Sequence, residues 1–87
     1  MRKVDIENVL TRRLKLASPE FRLRKIGPMY SGSVISDTFK RKGDFLRQKM
    51  IWDALEAELG EESARRIGTL LAYTWDEWDV EAPAKAG

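Results

Sequence analysis

The chain has 87 residues and a formal net charge of +2, and its 43% apolar and 34% charged residues are typical of one small folded domain. It contains no cysteine and no histidine, which excludes disulfides, thiol nucleophiles, imidazole bases and the usual ligand sets of zinc, haem and iron–sulfur sites. No apolar run approaches the roughly 18–20 residues of a membrane span, and the N-terminus has no long apolar stretch, so we expect no membrane insertion, no secretory signal and a cytoplasmic location.

The first half of the chain has the pattern of one helix followed by two strands. Apolar residues at helical spacing predict a helix from Val4 to Ala17, which Ser18-Pro19 ends because the residue before a proline is pushed out of the helical region. Phe21 to Arg24 alternates with period two, and Tyr30 to Ser36 is rich in small and β-branched residues. The short break at Gly27-Pro28 predicts that these two strands form an antiparallel hairpin.

A basic turn and a long helix follow the hairpin. Asp37-Thr38-Phe39 ends the second strand, and Asp44 is the predicted N-cap of a helix from Phe45 to Leu59. Gly60 has the position of the C′ residue that ends this helix. Residues 61–64 are then a short connection of about one helical turn.

The last part of the chain has the pattern of a strand and a short helix. Ile67 to Tyr73 is apolar at both alternating positions, which predicts a strand buried on both faces. Thr74 and Glu77 have the spacing of a capping box, so a short helix begins there. Trp75 and Trp78 on this helix are expected to pack it across the sheet, although tryptophans also serve as anchors for a partner.

The predicted order of elements is α-β-β-(α)-α-β-α. The second and third strands should be parallel with a right-handed crossover, because the long helix separates them. Helices that cover one face of three strands form a two-layer sandwich. We therefore predict an α+β fold with a three-stranded mixed sheet, in one domain over residues 1–80 with a flexible tail over residues 81–87.

Five segments of this chain, in this order and at this spacing, resemble the BolA family. They are Ser33 to Phe39 (SVISDTF), Lys42-Gly43, Arg47, the helix Ile51 to Leu59, and Ala72 to Trp78 (AYTWDEW). The resemblance covers roughly residues 8–79. It implies a fold related to the type II KH fold. It also implies two activities. Proteins of this family bind monothiol glutaredoxins and share a 2Fe–2S cluster with them, and several members bind DNA as regulators.

The chain departs from the family pattern where the cluster ligands lie. The Arg-His-Arg motif of the family is Arg47-Gln48-Lys49 here, and Arg66 has the place of the family's histidine at the start of the last strand. The loop between the first two strands, which carries another His or Cys ligand in relatives, is shortened here to about Gly27 to Ser31. A permanently protonated guanidinium cannot replace imidazole on iron. We therefore expect this chain to supply no cluster ligand, no other metal site and no cofactor site.

Basic residues concentrate in the first half of the chain. Residues 1–50 contain 13 basic and 5 acidic residues, whereas residues 51–87 contain 3 basic and 9 acidic residues. The split favours a dipolar surface that meets an anionic partner, unless folding intermixes the charges. The candidate residues for binding nucleic acid or a protein partner are Lys40, Arg41, Lys42, Gly43, Arg47, Lys49 and Arg66.

In type II KH relatives, the turn between two helices contacts the nucleic-acid backbone through a Gly-x-x-Gly loop. In this chain the corresponding basic turn has only Gly43 and lacks the Gly-x-x-Gly spacing. Phosphate binding by such a patch would depend on salt and little on sequence. A solvated turn or a protein-docking surface is the favoured explanation of the patch. The second basic set, which solvation explains, is Arg12, Arg13, Lys15, Arg22, Arg24 and Lys25. Arg22 and Arg24 share one strand face opposite Phe21 and Leu23, so they should lie on the open surface of the sheet.

No acid–base or nucleophile arrangement is visible, so we expect no enzyme. The sequence favours a BolA-like adaptor or regulator that binds a protein partner such as a monothiol glutaredoxin, as a monomer or weak homodimer and without a membrane partner. The alternative is a DNA- or RNA-binding regulator that uses the surface from Lys40 to Lys49.

Overall fold

The structure is a computed structural model that describes residues 1–81. Its elements in chain order are α1 (Lys3–Leu14), β1 (Glu20–Ile26), β2 (Met29–Ile35), a 3-10 turn (Asp37–Phe39), α2 (Asp44–Leu59), α3 (Glu61–Arg65), β3 (Ile67–Tyr73) and α4 (Trp75–Glu81). The predicted order of elements and the α+β fold class are confirmed. The expected flexible tail lies outside the described residues, except that Glu81 is the last residue of α4.

Helix α1 ends at Leu14, three residues before the predicted end. Lys15 adopts the left-handed conformation with φ 52° and ψ 52°, and the amide of Leu16 donates to the Thr11 carbonyl at 3.2 Å. This cap ends the helix before the proline has any effect. The turn brings Leu16 back into the core, where it is 7% exposed.

The sheet has the order β1-β2-β3, with β1 antiparallel to β2 and β2 parallel to β3. The predicted hairpin and parallel crossover are therefore both confirmed. The strands come so close at Gly32 that a Cβ atom there would lie 1.9 Å from the Arg22 carbonyl oxygen. Gly32 also has φ +153°, so this point of the central strand requires glycine.

One face of the sheet is covered by α1 and α2. Because side chains alternate along a strand, Leu23, Val34 and Leu70 point to this face and join the helices in the main core. The buried members of the core are Ile6, Val9, Leu10, Leu16, Leu23, Val34, Phe39, Ile51, Ala54, Leu55, Ala64, Ile67 and Leu70.

Helix α4 differs from the expectation that the helices cover one face, because it packs on the opposite side at one end of the sheet. Trp78 and Ile35 form a second buried cluster there, and Tyr73 meets Trp78 edge to face with ring centroids 5.4 Å apart. The rest of that face is open. The expectation that β3 is buried on both faces is wrong for the same reason, since Leu71 is 46% exposed on this edge strand.

Candidate binding surface at the basic turn

The basic turn, residues 40–43, is held in place from both sides. The Lys40 amide donates to the Asp37 carbonyl at 3.0 Å, and the Lys42 amide donates to the Phe39 carbonyl at 3.2 Å. Upstream, the fully buried Ser36 hydroxyl donates to the Ala17 carbonyl at 2.8 Å. The turn is therefore a fixed part of the fold, which lowers the entropy that a partner would have to remove on binding.

Two of the turn's cations have no ion pair in the part of the chain that the structure describes. These are Arg41, which is exposed with φ 63°, and the half-buried Lys42. Lys40 is different, because its ammonium lies 3.7 Å from the Asp37 carboxylate. The turn thus presents two uncompensated positive charges.

Gly43 is the N-cap of α2, one residue before the Asp44 that the sequence predicted as the cap. Its φ of −73° is open to any residue, and a Cβ atom added to it would meet nothing within 4 Å. Neither backbone strain nor packing therefore requires glycine at this position. Its small size leaves the backbone open to a partner.

Arg47 does not lie on the surface with the other predicted binding residues. Its side chain is 8% exposed, and its guanidinium donates to the Lys42 carbonyl at 2.7 Å and to the Ala72 carbonyl at 3.2 Å. It also forms a bidentate pair with Glu77, with distances of 2.5 and 3.1 Å. Arg47 thus joins the turn, β3 and α4, and this structural role replaces the predicted surface role.

Glu77 is the anionic side of this arrangement, and it is also part of the predicted capping box. The Glu77 amide donates to the Thr74 hydroxyl at 3.2 Å, and the Thr74 amide donates to the Glu77 carboxylate at 2.8 Å. Hydrogen bonds from the Arg47 guanidinium and then from the Thr74 backbone lower the pKa of Glu77 to about 2. Glu77 is therefore a carboxylate at neutral pH.

The other two predicted residues do not join the turn's free cations. Lys49 is exposed and lies 3.0 Å from Asp53 in the next helical turn. Arg66 directly precedes β3, as expected, and pairs with Glu62 at 3.3 Å. Arg66 is six residues before Ala72, the residue of β3 that Arg47 contacts, so it lies about 20 Å from that contact along the strand.

Sequence reasoning missed an exposed aromatic ring beside the turn. Phe45 is 82% exposed in the first turn of α2, and its neighbour Leu46 is 44% exposed. Their position on the outer side of a helix whose inner side is Ile51 and Leu55 was the available signal. A cleft of about 350 Å³ lies on the other flank, between α2, β3 and α4, and is lined by Asp44, Arg47, Gln48, Leu71, Ala72, Tyr73 and Glu77.

The residues present do not fit an iron–sulfur cluster. The whole chain has neither cysteine nor histidine, and residues 1–81 contain no group of three side chains that could hold a metal ion. Arg66 has the place of the family's histidine but is a cation paired with Glu62.

Comparison with solved structures identifies the fold. A bolA protein homologue from Coxiella burnetii has a TM-score of 0.64 at 21% identity, over 91% of this chain and 97% of that chain. BolA1 from Arabidopsis thaliana has a TM-score of 0.67 at 14% identity, over 88% and 95%. The BolA domain of SufE1 from Arabidopsis thaliana has a TM-score of 0.59 at 21% identity, over 85% and 92%.

The chain therefore has the BolA fold, as the motifs implied. No family model matches it, and no curated protein matches it in sequence. Among residues 1–81, no helix is long and apolar enough to cross a membrane.

Proposed function

We propose that this BolA-fold protein is a non-enzymatic adaptor of the cytoplasm, a monomer or weak homodimer that binds a protein partner through the basic turn. The motif resemblance implies a monothiol glutaredoxin as the class of partner. One observation carries the proposal: the exposed ring of Phe45 follows closely on Arg41 and Lys42, two cations that have no ion pair among residues 1–81. Aromatic and arginine side chains are the commonest energetic centres of protein interfaces.

The interior charges of the site argue against catalysis. The Arg47–Glu77 pair borders the cleft between α2 and α4 and is the arrangement there that most resembles an acid–base pair. With a pKa of about 2, however, Glu77 holds no proton to donate at neutral pH and is a weak base. Both groups are also fully engaged in hydrogen bonds that hold the fold together.

Binding to a monothiol glutaredoxin from the same cell tests the proposal. We expect isothermal titration calorimetry to give a complex that Phe45→Ala weakens by about tenfold or more, because truncation of a central aromatic anchor commonly has an effect of this size. Val80→Ala is the matched control, since Val80 is an apolar residue that is 84% exposed on α4. Absence of binding at tens of micromolar contradicts the partner class, whereas binding that Phe45→Ala leaves unchanged contradicts the surface.

The same complex tests whether this chain contributes a cluster ligand. If the glutaredoxin brings a 2Fe–2S cluster, Arg66→Ala should leave the visible absorption and circular dichroism spectra of the complex unchanged, because a guanidinium does not ligate iron. A change in the bands of the cluster on this substitution would contradict the proposal.

Nucleic-acid binding is the second candidate, and the open backbone at Gly43 next to two free cations favours it. Two phosphate contacts would give a salt slope of only about −2, which indicates weak electrostatic binding. A gel-shift assay at low salt decides this question. Retardation of duplex or single strands that disappears in the double variant Arg41→Gln, Lys42→Gln supports binding, and no retardation at tens of micromolar contradicts it.

A further inference from the structure

From the side of the sheet that α1 and α2 leave uncovered, we infer that the protein has a second binding surface, which takes an acidic segment with aliphatic side chains from a partner protein. This surface is separate from the basic turn, so the inference does not depend on the function proposed above. We call it the open face. Its side chains are Arg22, Arg24, Ile26, Met29, Ser31, Ser33, Thr69 and Leu71.

A cleft at one end of the open face gives the surface its shape. It has a volume of about 380 Å³ and lies between the β1–β2 hairpin and the indole ring of Trp78. Ser33 and Gly32 on the central strand are small, so the floor of the cleft is low, while Trp78 and two arginines form raised walls. A side chain of a bound segment can therefore lie over this low floor, beside the arginines.

The charges of the cleft favour a carboxylate. Arg22 bonds to Glu20 through Nε at 2.5 Å, and its Cζ atom lies 5.9 Å from the Trp78 ring centroid. Arg24 is two residues further along the same strand face, about 7 Å away, and has no ion pair among residues 1–81. Arg22 is thus held in place by its neighbours. The guanidinium group of Arg24 is available to the carboxylate of an Asp or Glu side chain, to which it could donate two hydrogen bonds.

The open face also has three apolar side chains that are largely exposed. Ile26 is 53% exposed, Met29 is 37% exposed and Leu71 is 46% exposed, one on each of the three strands. Ile26 and Met29 face each other at the hairpin end of the sheet, and Leu71 lies beside Ser33 at the cleft, with Arg24, Ser31 and Thr69 in the row between them. A partner that buries them needs aliphatic side chains next to its carboxylates.

The composition of the open face favours protein over nucleic acid. Only two cations lie on it, and Glu20 already compensates Arg22, so few phosphates could be neutralised. Ile26, Met29 and Leu71 match aliphatic side chains, whereas single-stranded nucleic acids need several exposed aromatic rings for stacking. Trp78, the one ring at the cleft, is 7% exposed and packs against Tyr73.

Selection from a random twelve-residue phage-display library tests this inference with the full chain as bait. We expect the enriched peptides to combine Asp or Glu with Leu, Ile or Val. A synthetic copy of one of them should bind with an affinity, measured by fluorescence anisotropy, that falls at least tenfold in Arg24→Gln. Lys25→Gln removes one exposed charge from the opposite face of the same strand, where Lys25 lies over the Tyr30 ring, and this matched variant should bind like the unmodified protein.

Several results would overturn the inference. These are no enrichment of any peptide, enriched peptides without acidic residues, or an affinity that Arg24→Gln and Leu71→Ala both leave unchanged. Sedimentation of the free protein is a further arm: if Leu71→Ala dissociates a dimer, the open face binds a second copy of the chain and not an acidic segment. Unchanged thermal unfolding of each variant would confirm that the substitutions leave the fold intact.

Discussion

Arg47 shows how a single residue can have a role that its sequence neighbours do not indicate. It lies between Lys42 and Lys49 in the chain, so the local pattern places it in a basic patch. Its partner Glu77 is thirty residues away, and only the packing of α4 against β3 brings the two together. The sequence did show the other half of the arrangement, because Thr74 and Glu77 have the spacing of a capping box.

Replacement of Arg47 by alanine should destabilise the protein by about 3 kcal/mol. Two backbone carbonyls, of Lys42 and Ala72, would lose their charged donor, and Glu77 would lose its counter-ion. Lys49→Ala breaks an exposed pair with Asp53 and should cost only about 0.3–0.5 kcal/mol. Urea unfolding of the two variants measures the difference, and equal losses would contradict the structural role of Arg47.

The Glu77 carboxylate should make stability depend on acid pH. Its pKa is about 2 in the folded protein and near 4.5 without partners, so protons bind more readily to the unfolded chain. The contribution of Glu77 is therefore complete above about pH 5 and is lost as the pH falls towards 2. The free energy of unfolding, measured against urea, should fall over this range less steeply for Glu77→Gln than for the unmodified protein.

Glu58 provides the control for this titration, because Arg12 and Arg13 also lower its pKa to about 2. Glu58→Gln removes a different acid-sensitive group on the exposed side of α1 and α2. The two single variants should each remove part of the pH dependence, and the double variant should remove both parts. If Glu77→Gln and the unmodified protein have parallel curves between pH 2 and 6, the Arg47–Glu77 pair does not stabilise the fold.

At the scale of elements, the sequence identified every helix and strand but not every boundary. The αL conformation of Lys15 ends α1 early. The sequence does not indicate this end, because residues other than glycine rarely adopt the αL conformation. The apolar pattern of β3 predicted burial on both faces, although the strand lies at an edge. Two side chains of α2 help to keep this edge strand from pairing with a strand of another molecule. Gln48 donates a hydrogen bond to the outward carbonyl of Leu70, and Arg47 donates one to that of Ala72.

The cap of α4 is an element-scale prediction. Thr74→Ala should lower the free energy of unfolding by about 1 kcal/mol, because the Glu77 amide would lose its hydroxyl acceptor at the start of a seven-residue helix. Thr74→Ser keeps the hydroxyl and should retain most of this stability. Chemical denaturation of the three proteins provides the measurement, and equal losses for the alanine and serine variants would show that the methyl group matters and the cap does not.

At the scale of the whole molecule, the chain builds two apolar clusters on opposite sides of one sheet. Because α4 is short, its cluster of Ile35 and Trp78 is too small to be stable alone. The polar contacts that tie it to the rest include the Arg47–Glu77 pair. The Trp75 amide also donates to the Asp37 carboxylate at 3.1 Å, and the Trp75 indole donates to the Ser18 carbonyl at 3.2 Å. These contacts should make both clusters unfold together.

Tryptophan fluorescence can follow α4 by itself in a Trp52→Phe variant, because the other two tryptophans of the chain are Trp75 and Trp78. In this variant we expect urea transitions by fluorescence and by far-ultraviolet circular dichroism to coincide, as in a two-state domain. Adding Glu77→Gln weakens the strongest of the polar ties, so the fluorescence transition should then occur at lower urea than the dichroism transition. Separate transitions in Trp52→Phe alone would mean that α4 is an independent unit, and coincident transitions in the double variant would mean that the Arg47–Glu77 pair is not needed to couple α4 to the sheet.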